Sequence, residues 1–302
     1  MDKRMNQTIT IPVPKEFHFG VNLDYLARSP DECLYLIRDD KLYKAIPVAE
    51  QPRLFEVSGD ESGNLLIRSL DEEEWSANVV QEIVSYVREW FDLDNDLTQF
   101  YAMAKNDPIL SGVTSRLFGL RTMGIPDLFE ALCWGIIGQQ INLAFAYTLK
   151  RRFVETFGRK VRRGEIEVWL FPTPQNIAEL EVERIAELKM TTKKSEYLIG
   201  VAKLLLDGNL SKERLLEAES FKAAEKQLVS IRGIGPWTAN YVLMRCLRYP
   251  ASFPIDDVGL HNAIKSVLNL QQKPTVARIK ELAVGWENWE AYATFYLWRV
   301  LY

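Results

Sequence analysis

The spacing of apolar residues changes once along this chain, close to Asp71, and the change divides the sequence into two kinds of structure. From residue 8 to about 70, apolar and polar residues alternate in TITIPV, FHFGVNL, CLYLIR, KLYKAIPV, RLFEVS and NLLIRSL. Alternation with period two and frequent β-branched or aromatic residues are typical of strands. The sequence predicts short antiparallel strands here, with a hairpin turn at SGDESGN, residues 58–64.

After Asp71 apolar residues recur at helical spacing, beginning with EEEWSANVVQEIVSYVREWF, and this spacing continues to the end of the chain. The further helical segments are 97–105, 109–118, 127–157, 175–188, 193–206, 211–217, 221–230, 236–247, 258–268, 275–283 and 288–301. The expected fold class is α+β. A small N-terminal antiparallel sheet domain, residues 1–112, is followed by a large all-helical domain, residues 113–302.

The charge of the chain is uneven. Its net charge of −4 argues against a protein that coats nucleic acid through bulk attraction, but it says nothing about local patches. Residues 150–163, KRRFVETFGRKVRR, hold seven basic residues against one acidic residue. Such a run is either a solvated face or a contact for DNA, and both interpretations stay open.

The cysteines and the N-terminal segment bear on where the protein works. Cys33, Cys133 and Cys246 are far apart in apolar settings, which predicts buried thiols and no disulfide framework or iron–sulfur cluster. The first fifteen residues lack the apolar core of a signal peptide, and no run approaches the roughly 18 apolar residues of a spanning helix. We expect a cytoplasmic protein with no membrane partner.

The stretch IRGIGPWTANYV, residues 231–242, places two glycines and a proline directly before an apolar helix. A Gly-x-Gly turn leaves backbone N–H groups unpaired, with the positive end of the helix dipole behind them. Glycine lets a phosphate approach closely, and Pro236 fits the first helical turn. The pattern predicts an anion site, although Gly-x-Gly alone also fits an ordinary tight turn.

A second motif, FPIDDVGLHNAI, spans residues 253–264. Asp256 and Asp257 directly precede an apolar helix, so either could be its N-cap. A cap does not explain the second carboxylate, because apolar neighbours and a like charge raise the cost of ionisation there. Carboxylates placed in this way often meet a developing positive charge or a water molecule.

The order L-x-x-I-x-G-I-G-x-W-T-A, about twenty residues, and then P-x-D-D resembles the helix-hairpin-helix (HhH-GPD) DNA glycosylases, which have a Gly/Pro-rich loop and a catalytic aspartate. It looks most like the AlkA-type 3-methyladenine DNA glycosylases. Residues 119–149, 189–205 and 286–302 also fit this family, and the strand-rich start is similar to its N-terminal domain. The resemblance covers nearly the whole chain and assigns the helix-hairpin-helix to residues 221–247.

The resemblance implies a monofunctional glycosylase of base excision repair that flips alkylated purines such as 3-methyladenine out of double-stranded DNA and leaves an abasic site. It implies that Asp257 is the catalytic carboxylate, which stabilises an oxocarbenium-like sugar and positions water, and that Asp256 is a cap or orienting group. Relatives with lyase activity carry a turn lysine at the position of Trp237, so we expect no lyase step. No cofactor is needed for this chemistry, and we expect a monomer.

Trp237, Tyr241 and Trp298 match the aromatic base pocket of the family. Each ring taken alone fits an ordinary core position better than a binding site, but Trp237 and Tyr241 lie four apart on one helix face after the turn. Electron-rich rings attract a cationic methylated base by roughly 0.5–2 kcal/mol. The resemblance also implies contacts to the DNA backbone at Arg232, Gly233, Ile234, Gly235 and Thr238. Further basic candidates are Lys193, Lys194 and Arg245.

The remaining assignments also come from the resemblance. Gln140 occupies the position of a wedge that fills the gap left by the flipped nucleotide, although the family often has a bulky apolar residue there, and Gln139 supports it. A sodium or potassium ion is implied under the hairpin on the carbonyl oxygens of Val229, Ile231 and Ile234.

Two alternative functions stay open. The first is excision of oxidised or deaminated bases, which predicts polar pocket residues that bind a base edge. The second is a non-catalytic protein that binds damaged DNA. A carboxylate opposite DNA repels phosphate, so the presence of Asp257 argues against binding alone.

Overall fold

The computed structural model describes residues 7–49 and 51–301, and expectations about residues 1–6, 50 and 302 lie outside the described residues. Five strands form one antiparallel sheet in the order β1-β5-β4-β3-β2, as predicted. They are β1 Thr8–Ile11, β2 Tyr35–Arg38, β3 Lys41–Val48, β4 Gln51–Gly59 and β5 Leu65–Ser69. The predicted turn joins β4 to β5, and Asp60 stabilises it by accepting hydrogen bonds from the amides of Ser62 and Asn64 at 2.8 and 2.7 Å.

One predicted strand is wrong. The segment FHFGVNL contains the start of a helix, α1 Phe19–Leu26, because long-range contacts outweigh its alternating pattern. The side chain of Asn22 is fully buried and donates hydrogen bonds to the carbonyl oxygens of His18 and Gly119 at 2.9 and 2.8 Å. These bonds hold α1 against a loop that is about 100 residues away in sequence.

Every segment predicted as helical contains at least one helix. Two of them are broken: 127–157 forms two helices with a turn between them, and so does 175–188. The helices are α2 Ala77–Trp90, α3 Thr98–Ala104, α4 Ser111–Arg116, α5 Leu128–Ile137, α6 Leu143–Phe157, α7 Pro174–Ala178, α8 Val182–Ala186, α9 Thr192–Leu206, α10 Lys212–Leu216, α11 Phe221–Val229, α12 Pro236–Arg245, α13 Val258–Val267, α14 Val276–Leu282 and α15 Glu290–Trp298, with a 3-10 turn at Val284–Trp286.

The α+β fold class is confirmed, with one addition to the part expected to be all-helical. A two-stranded hairpin, β6 Arg159–Arg163 and β7 Ile166–Leu170, follows α6. Val161 and Val168 pair in this hairpin and pack with Ala45 and Leu54 of the N-terminal sheet. The apolar signal for this hairpin is its two paired valines, which is too short to show as periodicity.

Two large hydrophobic cores organise the molecule. The first joins the N-terminal sheet and α2 to the last helices, so that Phe55 and Ile83 share a core with Leu260 and Tyr296. The second is formed by the helices from α5 to α12. The chain passes from the second core back to the first between α12 and α13, which is where Asp257 lies. The boundary expected between residues 112 and 113 stays a prediction.

The cysteines are buried as predicted, and the three thiols are free. Burial raises the pKa of Cys33 to about 12, so this thiol is protonated and unreactive near neutral pH. In the part of the chain that the structure describes, no helix has both the length and the apolar character required to cross a membrane.

Candidate active site and DNA-binding surface

Asp257 lies at the start of α13, where three N–H donors surround its carboxylate. The indole N–H of Trp237 donates to Oδ2 at 2.8 Å, and that of Trp298 donates to Oδ1 at 2.8 Å. The amide of Leu260 also donates to Oδ1, at 2.7 Å, so Asp257 is the N-cap of α13. The helix dipole and the donors together stabilise a negative charge at this point.

The cap assignment in the sequence analysis needs correction. Asp256, expected to be the cap or orienting group, is exposed, and its side chain has no hydrogen-bond partner among the described residues. Asp257 takes the cap because its own backbone is extended, with φ −67° and ψ 122°, which turns its carboxylate back onto the helix. Asp256 remains on the rim of the cleft, next to the hairpin.

The three predicted pocket aromatics lie together around Asp257. The rings of Trp237 and Tyr241 stack with centroids 5.5 Å apart and planes 23° apart. Tyr241 and Trp298 have centroids 6.2 Å apart with planes at 32°. Because Trp237 and Tyr241 come from α12 and Trp298 from α15, the cluster bridges the two cores.

A cleft of about 650 Å³ opens beside this cluster, which is large enough for a flipped base. Its walls include Asp257, the three aromatics, the turn between α5 and α6, and two residues of α1 and its C-terminal end, Tyr25 and Arg28. A second groove of about 690 Å³ runs along the helix hairpin and shares Gln139, Gln140, Trp237 and Asp256 with the cleft. The two depressions therefore form one continuous surface.

The predicted helix-hairpin-helix is α11, the turn and α12. Gly233 has φ +94°, and a Cβ there would lie 2.3 Å from the ring of Tyr197. Only glycine fits this position without strain. Gly235 has an ordinary φ of −89°, and a Cβ there would meet nothing within 4 Å, so its surroundings are open.

The turn presents free amides as predicted for an anion site, but not all of the predicted ones. The amides of Gly233, Gly235, Trp237 and Thr238 have no acceptor within the described residues. The amide of Ile234 instead donates to the carbonyl oxygen of Ile231 at 3.0 Å, so it is directed into the turn. The open amides stand at the positive end of the α12 dipole.

The side chain of Thr238 is not available to DNA. It is 2% exposed, and its hydroxyl accepts a hydrogen bond from Gln139 Nε2 at 3.1 Å. The same amide nitrogen donates to the carbonyl oxygen of Gly233 at 2.9 Å. Gln139 thus braces the hairpin turn against the turn between α5 and α6. Gln140, next in the chain, is exposed with φ +57° and lines both depressions.

Of the basic residues expected near DNA, two lie inside the protein. Lys194 is 9% exposed and its ammonium donates to the carbonyl oxygen of Ile137 at 2.7 Å, where it caps the end of α5. Arg245 is 4% exposed and donates to Met123 O and to the Tyr241 hydroxyl. Lys193 is exposed, and Arg232 is exposed beside Glu196, with 2.6 Å between Nη2 and Oε2.

The basic segment 150–163 is divided between two environments. Lys150 is buried, and its ammonium lies 3.0 Å from Glu32 and 3.5 Å from Glu130, so it supports the structure and is not available to DNA. Arg163 pairs with Asp71 at 3.4 Å, which joins β6 to the N-terminal sheet. Arg159 and Arg162 are exposed on the hairpin, which fits the solvated-face interpretation.

Comparison with known proteins identifies the family. Residues 133–288 match the model of the HhH-GPD superfamily base excision DNA repair proteins, and residues 33–132 match the 8-oxoguanine DNA glycosylase N-terminal domain. The chain belongs to the HhH-GPD superfamily. A DNA-3-methyladenine glycosylase of Bacillus subtilis is 52% identical over 302 residues, which cover 99% of this chain and 98% of that protein.

Two further proteins are similar to this chain, one in sequence and one in fold. DNA-3-methyladenine glycosylase 2 of Escherichia coli is 30% identical over 206 residues, 67% of this chain and 69% of that protein. A 3-methyladenine DNA glycosylase from Archaeoglobus fulgidus has the same fold, with a TM-score of 0.83 at 22% identity over 97% of both chains. As a member of this family, the chain is a DNA-binding glycosidase of base excision repair.

Several residues of the cleft were not found from the sequence. Tyr25 and Arg28 come from the first 30 residues, directly after a segment predicted to be strand, and nothing in their local pattern connects them to Asp257. Gly259 lies so close to the site that a Cβ would be 2.8 Å from Asp257 Oδ1 and 3.4 Å from the Trp298 ring. A glycine in the first turn of a helix, two residues after Asp257, is the one signal that the sequence offers.

Proposed function

We propose that the protein is a monofunctional glycosylase that excises alkylated purines such as 3-methyladenine from double-stranded DNA, with Asp257 as the catalytic carboxylate. The observation that carries the proposal is the clamp of Trp237 and Trp298 on Asp257 at the edge of an open aromatic cleft. The 52% identical relative is a DNA-3-methyladenine glycosylase, which supports the choice of lesion.

The hydrogen bonds to Asp257 support Oδ2 as the oxygen that acts in the reaction. A carboxylate oxygen has two acceptor positions, and both positions of Oδ1 are used by Leu260 and Trp298. Oδ2 accepts from Trp237 alone, so one position remains free. In our proposal this lone pair faces the sugar, where its charge stabilises the oxocarbenium-like transition state.

The same lone pair then serves the attacking water. As the bond between C1′ and the base nitrogen breaks, its electron pair leaves with the base, and methylation makes that base a good leaving group. The water oxygen bonds to C1′, and Oδ2 orients the water and takes its proton. The aromatic rings of Trp237, Tyr241 and Trp298 favour a positively charged base by cation–π attraction. The turn holds Trp237 and no lysine, so the abasic site is left uncut.

We propose that DNA is held without sequence preference. The open amides of Gly233, Gly235 and Trp237 bind phosphate oxygens, and Arg232 and Lys193 add positive charge beside them. Gln140 enters the DNA duplex and fills the gap left by the flipped nucleotide, since its side chain is exposed between the cleft and the hairpin groove.

We propose that a sodium or potassium ion binds the carbonyl oxygens of Val229, Ile231 and Ile234 under the turn. Val229 ends α11, where helical carbonyls are free, and Ile231 O keeps a second lone pair beside the one used by Ile234. Replacing potassium with tetramethylammonium at equal ionic strength is expected to weaken DNA binding. Equal affinity in both salts would contradict this site.

The protein is proposed to act as a monomer in the cytoplasm, where it meets its DNA. Sedimentation with and without a DNA duplex measures this, and a stable dimer of the free protein would contradict it.

The decisive experiment compares base release and DNA binding for the wild type, Asp257→Asn and Asp257→Ala on methylated duplex DNA. Asparagine still accepts from the Leu260 amide, so Asp257→Asn is expected to keep the helix cap while base release falls by about 10³-fold or more. Its DNA affinity holds or rises, because a charge that repels phosphate is gone. Asp257→Ala loses the cap as well, at about 1 kcal/mol of stability.

Asp256→Asn is the matched control, since it removes the neighbouring carboxylate and leaves Asp257 intact. We expect it to retain base release. Base release by Asp257→Asn within tenfold of the wild type would rule out the proposed chemistry. If the wild type bound damaged DNA but released no base, the protein would be a binding relative that has lost the reaction. Borohydride trapping tests for lyase action, and a trapped covalent complex would contradict the monofunctional assignment.

A further inference from the structure

The base cleft has two ends, and Asp257 occupies only one. Between ring centroids, Trp298 is 6.2 Å from Tyr241. The Arg245 guanidinium lies beyond, 5.4 Å from the Tyr241 ring and 5.7 Å from the Tyr25 ring. Arg28 stacks on Tyr25, and both line the cleft. Trp298, Tyr241, Arg245 and Tyr25 therefore stand between Asp257 and Arg28 in this series of contacts, and no hydrogen bond or ion pair among the described residues joins Arg28 to Asp257 directly.

The guanidinium of Arg28 has unused donors. Its carbon lies 3.9 Å from the centroid of Tyr25, and Nη1 donates to the Tyr25 carbonyl oxygen at 2.9 Å. No carboxylate of residues 7–49 or 51–301 lies within 4.0 Å of it, and its other N–H groups have no acceptor there. Stacking fixes the plane of the guanidinium, so the donors at the cleft have fixed directions.

The neighbouring polar group at this end is also a donor. The Tyr241 hydroxyl oxygen accepts a hydrogen bond from Arg245 Nη1 at 2.9 Å. Burial raises the pKa of Tyr241, so its hydroxyl keeps its proton. A ligand group that meets Arg28 and Tyr241 is therefore most favourable when it is an acceptor.

We propose that Arg28 is a specificity-determining residue that donates a hydrogen bond to the C6 substituent of the flipped purine. A purine joined through N9 to a sugar beside Asp257 directs its six-membered ring away from Asp257, toward Arg28. A 6-oxo group accepts a hydrogen bond from Arg28, whereas a 6-amino group cannot. The positive charge of Arg28 also opposes a cationic base. This inference rests on the proposed function of the cleft.

The test uses Arg28→Met, which keeps the length and apolar stem of the side chain and removes its donors and charge. Single-turnover excision is measured on three duplexes that contain hypoxanthine, 7-methylguanine or 3-methyladenine. Hypoxanthine is neutral with a 6-oxo group, 7-methylguanine is cationic with a 6-oxo group, and 3-methyladenine is cationic with a 6-amino group. Arg53→Met is the control, because Arg53 is half-buried on β4 and lies outside the cleft.

We expect Arg28→Met to lower the maximal excision rate for hypoxanthine, or to raise the protein concentration that gives half of that rate, by about 10- to 100-fold. This is the usual effect of losing a hydrogen bond to a charged group. The loss for 7-methylguanine should be smaller, because removing a repulsive charge offsets it. Excision of 3-methyladenine should stay equal or rise. Arg28→Lys keeps the charge but loses the planar donors, so it should restore only part of the hypoxanthine rate.

An equal loss on all three bases, or no change on any, would overturn the assignment of Arg28. If Arg28→Met proved unstable, Arg28→Lys would decide alone, since an unchanged ratio of hypoxanthine to 3-methyladenine excision in that variant also contradicts the proposal. Failure of the wild type to excise any of the three bases would instead be a failure of the proposed function. The two failures are therefore distinguishable.

Discussion

At the scale of single residues, the carboxylate of Asp257 is held by donors from three segments that lie far apart in sequence. The indoles of Trp237 and Trp298 each present a ring face to the aromatic cluster and an N–H edge to Asp257. A tryptophan can do both because its ring is apolar and its nitrogen is a donor only. The same side chains therefore bind the base and orient the group that reacts with the sugar.

Trp298→Phe separates these two roles, because it removes the N–H and keeps a ring. We expect it to slow base release by about 10- to 100-fold, since a hydrogen bond to a charged group is worth about 1.5–3 kcal/mol. DNA affinity should change little. Single-turnover excision measures the effect, with Trp169→Phe on β7 as a remote control. Equal rates for the wild type and Trp298→Phe would show that the clamp is not needed.

Alanine substitutions at the two glycines of the hairpin turn are expected to affect different properties, stability at Gly233 and DNA binding at Gly235. Gly233→Ala forces a Cβ into the Tyr197 ring at φ +94°, and should reduce the free energy of unfolding by about 1–3 kcal/mol. At Gly235 the φ is ordinary and a new Cβ would lie in open space, so Gly235→Ala should not change the free energy of unfolding. The added methyl group should instead keep a DNA phosphate away from the turn amides and weaken DNA binding. Thermal denaturation and DNA titration distinguish the two. Equal DNA affinity for Gly235→Ala would exclude a phosphate at this turn.

At the scale of elements, helix α9 supplies the carboxylate that pairs with an arginine of the hairpin turn. Arg232 is 76% exposed and pairs with Glu196 of α9, and this pair competes with any DNA phosphate for the same guanidinium. We expect Glu196→Gln to tighten DNA binding several-fold. Arg232→Gln should weaken it and reduce the slope of log affinity against log salt by about 0.9.

The matched control for Glu196→Gln is Glu187→Gln, which frees Arg184 of α8 in the same way. A salt titration of DNA affinity on the wild type and all three variants measures the effect. If Arg232→Gln kept the salt slope of the wild type, Arg232 would not contact phosphate.

The sequence predicted most elements because local signals mark them. The strands from Tyr35 to Ser69 follow alternation, and helices such as α9 and α11 begin at cap residues, Thr191 and Ser220. The two site motifs were found because the residues of each lie close together in sequence, the glycines at 233 and 235 and the aspartates at 256 and 257. The missed features, α1, the β6–β7 hairpin and Arg28, depend on partners that are remote in sequence. The burial of Lys194 and Arg245 was missed for the same reason, since their acceptors, Ile137 and Met123, belong to other elements.

At the scale of the whole molecule, the cleft exists because two separate cores meet there. Glu32 lies in the loop that follows α1, on the side of the first core. Its ion-pair partner Lys150 lies in α6, and Glu130, which also pairs with Lys150, lies in α5; both helices belong to the second core. Glu32 also accepts from the amides of Cys33 and Leu34 at 2.9 and 2.8 Å. Glu32, Lys150 and Arg28 line one small cavity beside the cleft, so the Glu32–Lys150 pair fixes the segment that bears Arg28 to α6.

This pair predicts how stability depends on pH. Burial is the largest single effect and opposes ionisation of Glu32, but the charge of Lys150 and the hydrogen bonds from Lys150 and the Leu34 amide together outweigh burial and lower the pKa of Glu32 below its ordinary value of 4.5. A carboxylate with a lowered folded-state pKa contributes stability above its unfolded pKa, and that contribution is lost as the pH falls through the folded pKa. We therefore expect the free energy of unfolding to decline below about pH 4.5, and to decline less steeply in Glu32→Gln.

A double-mutant cycle at pH 7 tests the same pair from the other side. Lys150→Met leaves Glu32 and Glu130 buried without their cation, which should cost about 3–5 kcal/mol, whereas Glu32→Gln keeps both backbone hydrogen bonds and should cost less. Adding Glu32→Gln to Lys150→Met removes one unpaired carboxylate, so the double variant should be more stable than Lys150→Met. Additive losses in urea unfolding would mean that the two groups do not interact, and that Arg28 is positioned by packing alone.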